Sequence, residues 1–273
     1  MGLFHYTDLS GLKGILESKS LWATNLYFLN DRNEAIHGFL CFENTVKYLD
    51  ENIVSQKKKE LLLNALAMYK GEMDKEGSTP GKNIYNISFC LDSDKLSQWR
   101  GYGSHQGVCI EFDKDKLISS IKSTGLDFKH DVVNYSSENS TVEMNHRINS
   151  FFEKININPQ DIDNGLAWWV SSYVLISQVT PFFKNEGFSE ENEYRFIFTP
   201  KSKMKDVKFR VNANGLIPYM NIGIKEDEVL PIKRIIVGPA KDPDFIINGI
   251  KMLLIKCEYE NVSIEYSKVP YRG

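Results

Sequence analysis

Segments with the pattern of β-strands recur along this chain, but long segments separate many of them, and this spacing restricts the possible folds. Two such segments, 84–90 and 107–112, are rich in β-branched and aromatic residues. Further extended segments are predicted at 128–135, 193–198, 207–211, 216–222, 235–239 and 263–266. Hairpins alone cannot connect strands across intervals of this length. The chain is therefore expected to form a single α+β domain over residues 1–273, with a mixed sheet flanked by helices.

Helical periodicity fills the intervals between the predicted strands. Apolar residues recur at helical spacing up to about Leu49, and a second helix is predicted near 57–73. A polar helical pattern at 139–159 is followed by an apolar helix at 161–179. We therefore expect helical insertions near 31–80 and 138–180. The charged part from Asp50 to Lys82 is expected to be an exposed excursion that could dock a partner such as an antitoxin or a chaperone.

Composition excludes several classes of protein. With 42% hydrophobic residues the chain can bury a core, and its formal net charge of −3 gives no general attraction to nucleic acid or anionic lipid. The four cysteines form no CxxC pair, and the chain opens without the pattern of a signal peptide. Because the longest apolar runs are shorter than the roughly 20 residues that span a bilayer, a cytoplasmic protein with no membrane association is expected.

Common motifs of metal and nucleotide sites are missing from the sequence. The five histidines show neither HxH nor HExxH spacing, so a metal site is not expected. There is no GxxxxGK[ST] loop, no GxGxxG after a strand and no GxSxG turn. These absences disfavour P-loop, Rossmann and serine-hydrolase chemistry.

A dispersed set of polar residues remains as the candidate site, and each member also has a structural interpretation. His5 on an apolar strand is often a satisfied core histidine, and Asp31 with Glu34 forms a possible capping box. Glu193 and Arg195 share one strand face by period two and are compatible with a cross-strand ion pair as well as with a site. The full set comprises His5, Tyr6, Thr7, Asn30, Asp31, Glu34, Ser88, Gln98, Trp99, Tyr102, Glu191, Glu193 and Arg195.

The order of short motifs along the chain resembles the bacterial domain-of-unknown-function 2971 family. The motifs run from Phe4 to Arg272: His-Tyr-Thr, Gly-Leu-x-x-Ile-Leu, Asn-Asp-x-x-Glu, Ser-Phe, Trp-x-x-Tyr-Gly, Gly-Val-Cys-Ile-Glu-Phe, Glu-x-Glu-Tyr-Arg and Ser-x-x-Pro-Tyr-Arg. The opening His5-x-Thr7 and helix, with a glutamate on a late strand, are also similar to ADP-ribosyltransferases of the DarT type and to RNA 2′-phosphotransferases. That second resemblance implies a split mixed sheet of the ADP-ribosyltransferase type that binds NAD in its cleft.

The resemblance also implies roles for individual residues. Glu193 would hold the ribose hydroxyls and stabilise the oxocarbenium-like transition state, while His5 and Thr7 would hydrogen-bond ribose and carboxamide groups. Tyr6 or Tyr102 would stack on nicotinamide, and Arg195 or Arg100 would pair with the pyrophosphate. The implied catalytic set is Glu193, His5 and Tyr102, and the implied NAD-binding set is His5, Tyr6, Thr7, Asn30, Asp31, Ser88, Trp99 and Arg195. The tyrosine of a His-Tyr-Glu branch stays open among Tyr85, Tyr102 and Tyr135.

The expected function is NAD-dependent ADP-ribosyl transfer without a metal, by a bacterial toxin or anti-phage effector. Nucleic acid (RNA or DNA) is the first acceptor that the resemblance implies, and protein is the second. Two alternatives stay open from the sequence. One is a binding or regulatory protein that senses a nucleotide in the same cleft, and the other is a metal-independent nuclease that acts through His5 and Glu193.

Overall fold

The computed structural model describes residues 2–29, 34–48, 56–73, 84–102, 106–137, 141–155, 174–200, 206–212, 215–225 and 228–270. Within these residues the protein has an α+β fold with one large, mostly antiparallel sheet. The strands are β1 Gly2–Asp8, β2 Ser20–Asn25, β3 Tyr85–Cys90, β4 Gly107–Asp113, β5 Phe128–Val132, β6 Asn134–Ser136, β7 Phe183–Asn185, β8 Glu193–Phe198, β9 Val207–Asn212, β10 Gly215–Gly223, β11 Ile232–Val237 and β12 Ser263–Tyr266. The helices are α1 Leu9–Ser18, α2 Glu34–Lys47, α3 Gln56–Met73, α4 Leu96–Tyr102, α5 Lys114–Ser123, α6 Val142–Ile155, the helical residues 174–179 (α7) and α8 Pro243–Lys256.

Ten of the described strands form the large sheet, in the order β12-β11-β4-β1-β3-β2-β10-β9, with β8 on β3 and β5 on β8. The pair β11–β12 is parallel, and the other pairs of this sheet are antiparallel. The short strands β6 and β7 form a separate parallel pair. The sheet is therefore mixed, as predicted.

The sheet is split along one edge of β3. On that edge β1 is paired at a single position, Phe4 with Cys90, and β2 is paired at Thr24 with Asn86 and at Asn25 with Tyr85. On its other edge β3 pairs with β8 along its whole length. The strands β1 and β2 thus leave a gap beside residues 87–89 of β3.

Helix α1 joins the two strands that border this gap. Asp8 caps the helix by accepting a hydrogen bond from the Gly11 amide at 2.6 Å, and the helix ends at Lys19, whose φ is 48°. Gly11 is required by a close approach, because an added Cβ would collide with Oγ1 of Thr7. The start of the helix therefore lies directly against the end of β1.

The main hydrophobic core lies on one face of the sheet, under α1, α5 and α8. Strand alternation places Tyr85, Ile87 and Phe89 of β3 on this face, and Asn86, Ser88 and Cys90 on the other. Strand β8 alternates likewise, with Tyr194 and Phe196 in the core. The polar side chains of β3 and β8 therefore share the opposite face.

A second core joins the two predicted helical insertions. Helices α2, α3, α6 and α7 contribute the buried apolar residues Phe39, Cys41, Phe42, Val46, Leu61, Leu62, Ala65, Leu66, Met144, Ile148, Phe151, Phe152, Leu175, Ile176, Val179 and, from β7, Phe183. The segment from Asp50 to Lys82 was expected to be exposed, and for α3 this expectation is wrong, because Leu61 and Leu62 are fully buried. The four buried positions of α3 recur at i, i+1, i+4 and i+5, which gives this helix an apolar face. Among the described helices, none is long and apolar enough to cross a bilayer.

Candidate functional site

A cavity of about 760 Å³ opens at the split of the sheet. Its walls come from β1, the start of α1, β2, β3, the end of α4, β8 and β9. This volume is in the range of pockets that hold small molecules and cofactors. Polar side chains from His5, Thr7, Ser88, Tyr102, Glu191, Glu193 and Arg195, all weighed as candidates from the sequence, line it together with Asp8, Ser10, Thr24, Asn86, Gln98, Lys184 and Arg210.

Glu193 and Arg195 form a bidentate ion pair on one face of β8. Arg195 donates from Nε to Oε1 and from Nη2 to Oε2 of Glu193, both at 2.8 Å. Its Nη1 also donates to the carbonyl of Pro181. The guanidinium therefore holds Glu193 and also lines the cavity, and the pyrophosphate-binding role that the resemblance implies for Arg195 stays a prediction.

Ser88 connects this ion pair to the cavity. Its backbone position is directly opposite Arg195 in the β3–β8 register, and its hydroxyl donates a short hydrogen bond to Oε1 of Glu193. The Nδ2 of Asn86 in turn donates to the Ser88 Oγ at 2.7 Å. Ser88 is the one residue of β3 that is not fully buried. The chain Asn86–Ser88–Glu193 thus runs along the polar face of β3 and β8.

Asn86 brings an unsatisfied acceptor to the same wall. Its side chain is buried, and its Oδ1 has no hydrogen-bond partner among the described residues. The orientation of the amide is fixed by the Ser88 hydroxyl, which accepts from Nδ2 because it already donates to Glu193. A buried acceptor without a donor is rare, and here it lines a cavity that can admit a donor.

Lys184 adds a second buried cation beside Glu193. Its Nζ lies 2.7 Å from Oε2 of Glu191 and 3.6 Å from Oε2 of Glu193. Burial acts to lower the pKa of Lys184, but the charges of Glu193 and Glu191 outweigh it and raise that pKa to about 12. Burial also raises the pKa of the Glu193 carboxyl, against the Lys184 ammonium and the Ser88 hydroxyl. Because both oxygens of Glu193 accept hydrogen bonds from Arg195, the arrangement favours the carboxylate.

His5 enters the gap from β1 and is neutral at physiological pH. Its Nδ1 lies 3.0 Å from the carbonyl oxygen of Ser88, which can only accept, so Nδ1 carries the proton. Burial lowers the pKa of His5, the hydrogen bond to Ser88 opposes the shift, and the charge of Arg210 adds to it. The remaining ring nitrogen, Nε2, is therefore an acceptor at the cavity wall.

Tyr6 and Trp99 pack against each other between β1 and α4 and support the cavity wall on this side. The Tyr6 hydroxyl donates to the carbonyl of Asp92 and accepts from the amide of Lys95, and its ring packs edge-on against Trp99 at 4.9 Å. Trp99 does not line the cavity, and its Nε1 donates to Asp94. These partners attach α4 to β1. Trp99 thus contacts other parts of the fold, whereas Tyr6 packs edge-on against Trp99 and also lines the cavity. The NAD contacts that the resemblance implies for both residues stay predictions.

Among the three tyrosines that the sequence left open, Tyr102 lies at the cavity. Tyr102 is half-exposed at its edge, and burial of the ring end, with the Glu191 charge, raises its pKa to about 12. Tyr135 lies behind Glu193 and accepts a hydrogen bond from the Glu193 amide at 2.9 Å. Tyr85 is buried on the core face of β3. The positions therefore favour Tyr102 for ligand contact.

Arg210 of β9 also lines the cavity. Its Nη2 donates to Oγ1 of Thr24 at 3.0 Å, and its guanidinium lies 5.3 Å from the ring of Trp22 and 5.9 Å from the ring of Tyr219. No carboxylate among the described residues pairs with it. Burial lowers the pKa of Arg210, but a guanidinium stays charged at physiological pH.

The sequence-based set was therefore brought together in large part. His5, Thr7, Ser88, Tyr102 and Glu193 line one cavity, whereas Asn30 and Asp31 lie outside the described residues. Lys184, Asn86 and Arg210 were not singled out from the sequence. The alternating Lys-Phe-Arg-Val pattern of β9 is typical of a strand with a solvent-exposed face, so the sequence does not indicate that Arg210 lines a cavity. Lys184 carried one usable signal, a lysine that follows Phe182 and Phe183 directly.

The described residues contain no group of three or more His, Cys, Asp or Glu side chains that could hold a metal ion. The predicted DarT-like resemblance finds no counterpart among characterised proteins, because no curated protein and no solved structure matches the chain. A family model described as "Protein of unknown function (DUF2971)" matches residues 98–196. This segment contains six of the polar residues that line the cavity, Gln98, Tyr102, Lys184, Glu191, Glu193 and Arg195. Over this segment, which is less than half of the chain, the protein is therefore similar to the DUF2971 family, in agreement with the resemblance of its motifs.

Proposed function

We propose that the protein is an NAD-dependent ADP-ribosyltransferase. The observation that carries this proposal is the buried Glu193 carboxylate, held in a fixed orientation by Arg195 on a cavity that also receives the neutral His5. Cleavage of the nicotinamide–ribose bond develops positive charge on the ribose, and a preorganised carboxylate in a desolvated site stabilises such charge. The sheet type that the resemblance implies agrees with the split beside β3.

In this proposal, different residues along the cavity contact different parts of NAD. Nε2 of His5 can accept a hydrogen bond from a ribose hydroxyl, since Nδ1 is already used by Ser88. The half-exposed Tyr102 ring offers a surface for the nicotinamide ring. In the reaction, nicotinamide leaves with the bonding electron pair, and an acceptor oxygen or nitrogen bonds to the same ribose carbon and releases its proton.

Glu193 reaches a ligand in this proposal by exchanging one hydrogen bond. Its oxygens accept from Arg195 twice and from Ser88 once. The Ser88 hydroxyl is the donor nearest to the cavity, and its side chain can rotate without disturbing the ion pair. A ribose hydroxyl that takes its place would gain a charge-assisted hydrogen bond.

The direct test uses NAD labelled in its adenylate part, incubated with the purified protein and with RNA, DNA or protein as acceptor. We expect Glu193→Gln to lower transfer or NAD hydrolysis about a hundredfold or more. Glu190→Gln is the matched control, because Glu190 is exposed, outside the cavity and three residues away. Ser88→Ala should keep most of the activity if a ligand hydroxyl replaces the Ser88 hydroxyl. The absence of transfer and hydrolysis with every acceptor, or full activity of Glu193→Gln, would overturn the proposal.

A second candidate is a nucleotide-sensing protein without turnover. It is favoured by the same hydrogen bonds, because the oxygens of Glu193 already have donors in Arg195, Ser88 and Lys184. A sensor would be stabilised by NAD in a thermal-shift series and would leave the NAD intact. Recovery of unchanged NAD from a stabilised complex would select this candidate.

The proposed biological setting is that of a bacterial toxin or anti-phage effector. It rests on the sequence resemblance alone, and so does nucleic acid as the first acceptor. An antitoxin or chaperone partner follows from the same premise, because a toxin must be restrained in its own cell. Co-purification of the chain with the product of a neighbouring gene would support it, and unrestrained expression without growth inhibition would contradict it.

A further inference from the structure

The part of the cavity wall formed by β9 and β3 combines a cation and an acceptor that have, among the described residues, no carboxylate and no donor, respectively. Arg210 has no carboxylate partner among the described residues, whereas Arg147, Arg195 and Arg234 each pair with at least one. The hydroxyl of the buried Thr24 and the ring pair of Trp22 and Tyr219 hold its guanidinium in place. A partly buried guanidinium without a counter-ion is a prepared site for an anion.

The neighbouring acceptor is Oδ1 of Asn86. Thr24 and Asn86 are directly paired between β2 and β3, so their side chains lie on the same face of the sheet. Arg210 donates to Thr24, and Asn86 Oδ1 lacks a donor. A ligand that satisfies both must present an anionic group to Arg210 and a hydroxyl donor to Asn86.

The aromatic rings specify the anion further. Trp22 and Tyr219 lie 4.9 Å apart and are tilted by 38°, and they cover the guanidinium on its ring side. They leave its remaining N–H groups for a group with several acceptor oxygens, and a phosphate offers these in the fork geometry that a guanidinium binds best. A phosphate ester next to a free sugar hydroxyl is the chemistry of a ribose phosphate.

We propose that Arg210 and Asn86 form a ribose-phosphate subsite, in which Arg210 binds a phosphate of the ligand and Asn86 Oδ1 accepts from a ribose hydroxyl. Thr24, Trp22 and Tyr219 act as positioning residues for the guanidinium. The subsite deepens the proposed function, because NAD carries two ribose phosphates, but it applies equally to a nucleotide sensor. It replaces Arg195 and Arg100 as the phosphate-binding residue.

The test measures dissociation constants by calorimetry for four probes: ADP-ribose, AMP, adenosine and inorganic pyrophosphate. We expect Arg210→Gln to weaken ADP-ribose and AMP about tenfold to a hundredfold, in line with the loss of a hydrogen bond to a charged group, and to leave adenosine unchanged. Asn86→Ala should weaken ADP-ribose, AMP and adenosine about threefold to tenfold and leave pyrophosphate unchanged. Lys208→Gln removes the same charge from the same face of β9 outside the cavity and should leave all four constants unchanged.

Each other result overturns the proposal. Equal affinities of Arg210→Gln and wild type for AMP would remove the phosphate contact, and a wild type that binds pyrophosphate alone would identify a simple anion site without ribose recognition. Failure of all four probes to bind the wild type would exclude the subsite. NAD turnover is a separate readout: a chain that binds ADP-ribose through Arg210 but never consumes NAD would refute the transferase and retain the subsite.

Discussion

Removal of the Arg195 guanidinium is the most demanding test of the site's geometry. Arg195 and Glu193 are the side chains with 1% and 5% exposure, joined by two hydrogen bonds of 2.8 Å. Arg195→Met keeps the length of the side chain and leaves the Glu193 carboxylate buried with Ser88 and Lys184 alone. Because a buried charge without its partner is strongly destabilising, we expect a loss of about 3–5 kcal/mol in the free energy of unfolding. That is a large part of the roughly 5–15 kcal/mol that a domain has in total.

Urea unfolding followed by circular dichroism measures this loss, with Arg234→Met as the matched control. Arg234 also lies on a strand and also pairs with carboxylates, those of Glu111 and Glu265, but its side chain is 27% exposed and Glu265 is 49% exposed. Such an exposed network is worth about 1 kcal/mol or less per pair. The double variant Glu193→Gln/Arg195→Met should recover much of the lost stability, because it removes the unpaired charge.

The pH dependence of the stability loss in Arg195→Met distinguishes an effect of charge from an effect of packing. Burial raises the pKa of Glu193 above its ordinary value, and loss of Arg195 raises it further. The folded state of Arg195→Met then binds a proton that the unfolded state lacks between the two pKa values. Its stability therefore rises as the pH falls through this window, and its deficit relative to wild type is smaller at about pH 5 than at about pH 8. A deficit no larger than that of Arg234→Met, or the same deficit at both pH values, would refute the reasoning.

Three further perturbations test the surroundings of the cavity. Gly11→Ala should lower the free energy of unfolding by about 1–3 kcal/mol, because the added Cβ collides with Thr7. Gly14→Ala is the control, since its added Cβ would lie 3.8 Å from the Trp22 ring, and it should be neutral or stabilising by up to about 1 kcal/mol. Thermal denaturation measures both effects. Tyr6→Phe should lose about 1–2 kcal/mol, because its hydroxyl joins two backbone groups, and calorimetry should find nucleotide affinity unchanged. Burial lowers the pKa of His5, so the folded state binds fewer protons than the unfolded state, and the stabilising contribution of His5 is present above the unfolded pKa near 6.5 and is lost as the pH falls. We therefore expect His5→Gln to flatten the decline in the urea midpoint between about pH 8 and pH 5. An NMR titration should find the His5 ring neutral at pH 7.

Much of the secondary structure could be predicted because it is encoded locally. The predicted strands 193–198 and 263–266 coincide with β8 and β12. Period two also placed Glu193 and Arg195 on one face of β8, and they form the ion pair that was the structural alternative. That pair lies within one strand and not across two strands, since the i, i+2 spacing is short enough for arginine to reach back to glutamate.

The composition of the cavity could not be predicted, because it depends on strand register between distant segments. Asn86 meets Thr24 and Ser88 meets Arg195 only through the pairing of β3 with β2 and with β8. Lys184 is brought to Glu193 by the short strand β7, which pairs with β6 and not with the main sheet. Local patterns carry no information about these pairings.

The role of Glu193 depends on which of its hydrogen bonds a ligand could replace. Arg195 and Tyr135 hold the carboxylate and its backbone from the buried side, so neither can be exchanged for a ligand without loss of the fold. Ser88 lines the cavity, and its rotatable hydroxyl donates to the carboxylate and accepts from Nδ2 of Asn86. If the carboxylate served the fold alone, an apolar residue at 88 would seal it at lower desolvation cost. The serine instead keeps a polar path open between Glu193 and the cavity, along the same face that carries the unsatisfied Asn86 oxygen and Arg210. The polar face of the split therefore carries a carboxylate and a guanidinium in one cavity, the two groups that the proposed nucleotide site assigns to the sugar and the phosphate.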